Sequence, residues 1–235
     1  PPPPPPPPPP PTPPPPTTLL SSAASDVYKR QGGVDLSACV ALPDVATGTA
    51  LIAVAPSGEN QIVVAPGANR CLFPDQLKVP DTDAVICQLE VPVETVVSIA
   101  TAYKGFFCVN LAPAMEIDVA VLQRADLVVV NETESDWYGA SLLACAGLVA
   151  TTRGAGVASL ERDGEIIAEA RPPATHAVDA TGAGDTFTAA LTVALVEGQA
   201  PEEALRFACA AGAIAVTKMG AQPSLPMRSE VAIDG

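Results

Sequence analysis

The sequence predicts an α/β domain: a mostly parallel sheet with helices on its faces and a small β-hairpin beside it. Two observations predict the sheet. From Ala84 onward, short apolar runs alternate with stretches of helical period, the order that builds parallel strands joined by helical crossovers. The glycine-rich turn Gly182-Ala183-Gly184 then leads into an amphipathic helix, an arrangement that α/β domains use at their ligand edge. A third observation predicts the hairpin. Two β-rich runs flank a short turn between Gly48 and Asn69.

In chain order, the 235 residues suffice for one domain with a sizeable core. Of 27 prolines, 15 fall within residues 1–16, a run that forms a polyproline II rod or a disordered tail. Residues 17–31 show no sustained period and are too short and polar to span a membrane. No basic segment precedes an apolar core, as a signal peptide requires. Ser25–Gln31 looks like a translated library adapter. Residues 1–31 are therefore expected to be a disordered tail foreign to the fold, and 32–235 the domain proper.

GTALIAV and NQIVVAPGAN, separated by Ala55–Glu59, give the hairpin at about residues 47–66. AVICQLE (84–90) reads as a buried strand. Pro92–Tyr103 carries Val93, Val96, Val97 and Ala100 on one face and stops before Gly105, which predicts a helix. FFCVNLAP, ADLVVV (125–130) and GLVATT (147–152) are further strands. Only the 11 residues 137–147 separate Asp136 from Leu148. A parallel crossover usually needs a dozen or more, so this unit is abbreviated.

The net charge of −14 and pI of about 4.3 argue against nucleic acid or an anionic membrane as partner. A phosphate site in such a chain has to rely on backbone N–H groups and metal. Cysteines 39, 71, 87, 108, 145 and 209 lack CxxC spacing and read as buried, reduced thiols of a cytoplasmic protein. The single histidine, His176, has no partner pattern that would suit a Ser-His-Asp hydrolase.

Val178–Glu197, VDATGAGDTFTAALTVALVE, is the stretch with the clearest chemistry. Phe187, Ala190, Leu191, Ala194 and Leu195 recur at helical spacing, so Gly182, Ala183 and Gly184 sit at a helix start with Asp185 in the first turn. Free N–H groups and the positive dipole end make an anion site there. A carboxylate beside a bound phosphate is suited to taking the proton of an attacking hydroxyl. A plain helix start with flexible glycines is the competing reading. A dinucleotide fingerprint fails because Phe187 stands at its third glycine, and a Walker loop fails for want of lysine. Parallel sheets bind ligands at the carboxyl ends of their strands. That rule selects Glu90, Asn110, Asn131 to Glu134 and Thr151 to Gly156. Standing alone, Asn131-Glu132-Thr133-Glu134 reads as a helix cap with acids in the first turn.

DATGAGDTF followed by a helix of small residues resembles the C-terminal signature of the ribokinase-like carbohydrate kinases. TGTALI, GEN and PGAN resemble that family's lid hairpin, which covers the sugar and pairs between subunits. QLEVP and NLAPA resemble its QLExP and NPAPA segments. The resemblance implies a three-layer α/β/α fold and ATP-dependent phosphorylation of a sugar, D-ribose being favoured. Another sugar or a nucleoside, or a nucleotide-binding fragment without catalysis, are the alternatives. It implies that Glu90 hydrogen-bonds the sugar and that Asp185 is the base. It implies that the N–H groups of Gly182, Ala183 and Gly184 steady the transferred phosphoryl. VNETE resembles NxxE, which implies that Asn131 touches the nucleotide phosphates and Glu134 acts through the Mg²⁺ hydration shell. TTRGAG resembles TLGxxG, which implies nucleotide contacts at Thr151, Thr152, Arg153, Gly154, Ala155 and Gly156, with Arg153 in place of a usual glycine. Gly184 and Asp185 also border ATP. Cys209, on a helix over about 201–219, falls beside adenine where the family has a polar residue. Asp179, Thr181, Ala215, Lys218, Gly220 and Ser224 match loops that hold a monovalent cation, K⁺. The likeness covers about residues 33–230. The family's GxNxD strand and GGKGxN segment have no counterpart, the proline tract stands in their place, and the chain stops at VAIDG where the family continues into a helix.

Overall fold

A computed structural model describes residues 17–21, 32–39, 41–54 and 60–231. The proline run and the hairpin turn at 55–59 lie outside the described residues. The main sheet has six strands in the order β4 (Ala84–Gln88), β5 (Phe106–Asn110), β6 (Leu127–Asn131), β7 (Leu148–Thr152), β8 (Ala158–Arg162) and β9 (Glu165–Ala170). The first four run parallel, and the last two are added antiparallel.

Strand periodicity sorts the core into two layers, because successive side chains point to opposite faces. Cys108, Leu127, Val129, Leu148 and Ala150 face α4 (Ala183–Val196) and α5 (Pro201–Ala215) through Phe187, Leu191, Leu205 and Ala208. Their neighbours Phe107, Val109, Val128, Val130 and Val149 face α1 (Val93–Ala102) and α2 (Val119–Arg124) through Val96, Ile99, Val121 and Leu122. Because the strands are buried on both sides, they read as continuous apolar runs. The expected three-layer α/β/α fold with a mostly parallel sheet is present.

The abbreviated crossover still returns parallel. α3 (Glu132–Tyr138) ends where Gly139 takes φ 48°, a 3₁₀ segment spans Gly139–Ala144, and β7 pairs in register Leu127↔Leu148. A Cβ at Gly147 would clash with the Asp126 carbonyl oxygen, so only glycine lets the chain enter β7 this tightly.

The β8–β9 hairpin is missing from the strands predicted above. Its turn, Asp163-Gly164, has φ of 54° and 80° and links the paired residues Arg162 and Glu165. Two positive φ values in a two-residue loop match the strand twist, and Asp-Gly is the sequence signal for it.

A separate sheet has the order β1 (Thr17–Ser21), β2 (Thr49–Val54), β3 (Asn60–Ala65). The β2–β3 pair, in register Thr49↔Ala65, is the expected hairpin. β1 falls within the stretch 1–31 expected to be a tail; its residues Thr17 through Ser21 pair antiparallel with Val54 through Ala50, and the rest of that stretch lies outside the described residues. An open β2 edge exposes N–H and C=O groups that such pairing satisfies. Among the described residues no helix is long and apolar enough to cross a membrane.

Cys87, Cys108, Cys145 and Cys209 are buried thiols, whereas Cys39 is exposed. Burial pushes Cys108 up to about 12 and Cys87 and Cys209 up to about 11. The thiolate is the reactive form. In the native protein at mildly alkaline pH, iodoacetamide should therefore label Cys39 and spare these three, and all six should react in denaturant. Intact and peptide mass spectrometry read the result. Labelling of Cys108 at the rate of Cys39 in native protein would contradict this packing.

Candidate active site

The parallel registers bring the selected strand ends to one edge. Gln88 lies opposite Asn110, Asn110 opposite Val129, and Asn131 opposite Thr152. Beyond β4 the Leu89 N–H donates to Ala112 O at 2.9 Å, which anchors the turn that carries Glu90, itself exposed. Asn110 is buried at the end of β5.

Asn131 ends β6 and caps α3. Its Oδ1 accepts from Glu134 N at 2.8 Å, and Glu134 Oε2 accepts from Asn131 N at 2.8 Å. This reciprocal pair is a capping box, so the cap reading of this motif holds geometrically. It leaves the Glu134 carboxyl buried. Burial pushes that carboxyl up from the usual range, against the pull of the Asn131 N–H.

At the start of α4, Gly182 takes φ 80° and a Cβ there would meet Ala221 Cα at 3.3 Å. Ala183 N–H closes a turn on Ala180 O at 3.2 Å, and Thr186 N–H reaches Gly182 O at 2.9 Å. Between them, the N–H groups of Gly184 and Asp185 find no acceptor among the described residues. The free donors are thus at Gly184 and Asp185, while the Ala183 donor is already engaged. A Cβ at Gly184 would meet open space. Asp185 is exposed in the first turn of the helix, as expected. Its Oδ1 accepts a 2.5 Å hydrogen bond from Gln88 Nε2, 97 residues away. Gln88 is absent from the residues selected by sequence. The available signal is a polar side chain closing an apolar strand, two positions before Glu90.

The loops at 178–181 and 215–224 interlock. Val216 O accepts from Val178 N at 2.7 Å and Asp179 N at 3.2 Å. Asp179 Oδ1 accepts from Thr181 N at 2.9 Å and Thr181 Oγ1 at 2.6 Å, and Oδ2 accepts from Gly220 N at 2.8 Å. Burial alone would raise the Asp179 carboxyl, but the Thr181 hydroxyl and the Gly220 and Thr181 N–H groups outweigh it and hold it below the usual range. Ser224 is buried and its hydroxyl donates to Ala221 O at 2.7 Å. Ala215 is buried at the end of α5, and Lys218 is exposed. Gln222 Oε1 is buried with no donor among the described residues. An unpaired buried carbonyl oxygen of this kind is the type of donor that a hard monovalent cation takes.

Thr151 is buried, and Thr152 Oγ1 donates to Val130 O at 3.4 Å. Arg153 folds back on its own turn, with Nη1 donating to Val157 O at 3.0 Å and Ser159 Oγ at 3.3 Å. Gly154 has φ 54°, Gly156 N–H reaches Arg153 O at 2.7 Å, and Arg171 donates to Ala155 O at 3.4 Å. Cys209 is 4% exposed and its thiol points at Ala170 O of β9, 3.9 Å away. That side chain belongs to the core and offers no accessible polar group to a nucleotide. A cavity of about 510 Å³, lined by residues that include Leu77, Thr82, Tyr103 and Gly105, lies at the opposite edge, where β4 and β5 begin. It is remote from this chemistry.

An acid and free N–H groups at one helix start, on the carboxyl edge of a parallel sheet, define a phosphotransferase that acts on a hydroxyl group. The chain belongs to the pfkB family of carbohydrate kinases, whose pattern matches residues 28–228. Its similarity to the ribokinase of Haemophilus influenzae is 35% identity, covering 85% of this chain and 72% of that protein. With the ribokinase of Arabidopsis thaliana it is 32%, covering 85% and 59%; the chain thus spans only part of the length of these relatives. Among solved structures, the ribokinase of Thermotoga maritima superposes with a TM-score of 0.78 at 32% identity, covering 89% of this chain and 76% of that one. The Arabidopsis thaliana ribokinase complexed with ribose and ATP gives 0.72 at 29%, covering 90% and 77%.

Proposed function

We propose that this chain transfers the γ-phosphoryl group of ATP to the primary hydroxyl of D-ribose, giving D-ribose 5-phosphate and ADP. The observation that carries this reading is the junction of two sequence-distant segments. The Gln88–Asp185 contact joins the strand end that bears Glu90 to the helix start that bears the acid and the free N–H groups. The relatives named ribokinase support ribose over another sugar or a nucleoside.

In this reading Glu90 hydrogen-bonds the sugar and Asp185 takes the proton of its primary hydroxyl as the oxygen attacks phosphorus. The Gly182–Gly184 turn faces the transferred phosphoryl, and the N–H groups of Gly184 and Asp185 accept the charge that develops there. Asn131 and the Thr151–Gly156 turn border the nucleotide. Among the described residues no group of three or more His, Cys, Asp or Glu could hold a metal. A Mg²⁺ ion would therefore be held mainly by phosphate and water, with Glu134 as its protein partner through a hydration shell, and would neutralise phosphate charge. K⁺ would sit among Asp179, Thr181, Ala215, Lys218, Gly220 and Ser224. Exposed Leu51, Val63 and Val64 on the lid sheet support a homodimer through the hairpin, and the buried thiols fit a cytoplasmic setting.

Calorimetric titration should show weak Mg-ATP binding. Coupled ADP detection should show turnover with D-ribose above that with other pentoses, hexoses or adenosine. Absence of heat with millimolar Mg-ATP on demonstrably folded protein would remove the nucleotide site. Faster turnover with adenosine would move the substrate to a nucleoside.

A further inference from the structure

We propose that Gln88 is a positioning residue that aims the Asp185 carboxylate for proton abstraction; the proposal rests on the reading of Asp185 as base. Asp185 is exposed at a helix start, where an aspartate side chain is free to turn about its two rotatable bonds. The main restraint on it is the 2.5 Å bond from Gln88 Nε2 to Oδ1. The Gln88 main chain in turn is held by the sheet. Gln88 is the last residue of β4, in register with Asn110 of β5, between buried Cys87 and Leu89. A donor carried by the sheet therefore holds one carboxylate oxygen, and Oδ2 is left to face a hydroxyl.

The residue type suits the task. A carboxamide donates through N–H without giving up its proton at any working pH, so it orients the carboxylate and does not neutralise it. A lysine in its place would bring a net charge to the phosphate edge, and a glutamate would bring a second acceptor against the first. Orientation is worth a large rate factor, because a displacement of about 1 Å at a reacting group can cost about 100-fold.

The test uses the full chain, D-ribose and Mg-ATP. Gln88→Met keeps the length and removes the donor. It should lower kcat by about 10- to 100-fold and leave KM for ATP unchanged, since a hydrogen bond to a charged group carries about that factor. Gln88→Glu keeps the shape of glutamine more closely, yet should be the slower of the two. If Gln88 only packed the strand end, Gln88→Glu would instead be the milder change. Adding Gln88→Met to Asp185→Asn should cost almost nothing further, because the positioned group is already gone; full additivity would overturn the proposal. If Asp185→Asn alone keeps normal turnover, the base assignment has failed. If Asp185→Asn is slow and Gln88→Met is normal, only the positioning role has failed. The hydrogen bond also has a readout that needs no turnover. The Gln88 side-chain amide protons should exchange slowly in NMR spectra and move on Asp185→Ala, and an unmoved resonance would equally overturn the proposal.

Discussion

Asp185→Ala should lower kcat by about 10²–10⁴, the range for loss of a general base, with little change in KM for ATP. The carboxylate is needed only as the sugar hydroxyl loses its proton, so its removal should act on the transition state. The nucleotide side of the site is made of main chain, with the N–H groups of Gly184 and Asp185 remaining in the variant. Folding should hardly suffer. Asp185 is exposed, and an acid in a first helical turn is worth about 0.3–1 kcal/mol. Asp185→Asn should be as slow as the alanine variant, because an amide cannot accept the proton although it fills the same space. Steady-state kinetics and a melting curve measure both. Near-normal turnover in both variants would reduce the glycine turn to a helix start and make Glu90, beyond the end of β4, the next candidate.

Much of this was legible in the chain because the relevant signals are local. Apolar runs bounded by breakers gave β4 to β7; β5 to β7 are buried on both faces and carry no alternation to disguise them, whereas edge strand β4 leaves Ile86 exposed although its run reads as buried. Helical spacing from Phe187 to Leu195 located α4, and Asp185 fell in its first turn. The parallel order then placed Glu90, Asn110, Asn131 and Thr152 on one edge without any contact being known. What was missed is pairwise or subtle. The β8–β9 hairpin depends on a two-residue turn whose Asp163-Gly164 signal is short and whose strands mix charge with apolar residues. β1 depends on an edge that β2 leaves open, which Thr17–Ser21 cannot reveal by itself. The same holds for the functional atoms. A sequence gives a glycine turn, but which N–H groups are free depends on Ala183 closing onto Ala180. A sequence gives Cys209 a place beside a nucleotide site, but its rotation toward β9 is set by how α5 packs. Gln88 is invisible for a similar reason, since its partner lies in another segment altogether.

Two glycine substitutions separate the anion site from the turn that builds it. Gly184→Ala should leave the melting temperature unchanged or slightly raised. No heavy atom lies within 4 Å of the added Cβ, and alanine favours a helix over glycine by up to about 1 kcal/mol. The same methyl stands in the open space beside the free N–H groups, where phosphate has to approach. Mg-ATP affinity and kcat should therefore fall together, by about 10-fold or more, with the fold intact. Gly182→Val should lose both properties. At φ 80° a β-branched side chain is strained by about 1–3 kcal/mol, and its Cβ meets Ala221 at 3.3 Å, so the melting temperature should drop along with nucleotide binding. Calorimetry on the two variants side by side gives the decision. A Gly184→Ala protein that binds Mg-ATP as tightly as the parent would mean that phosphate does not lie at the start of α4. The sensitivity of Gly182→Val would then be a matter of folding alone.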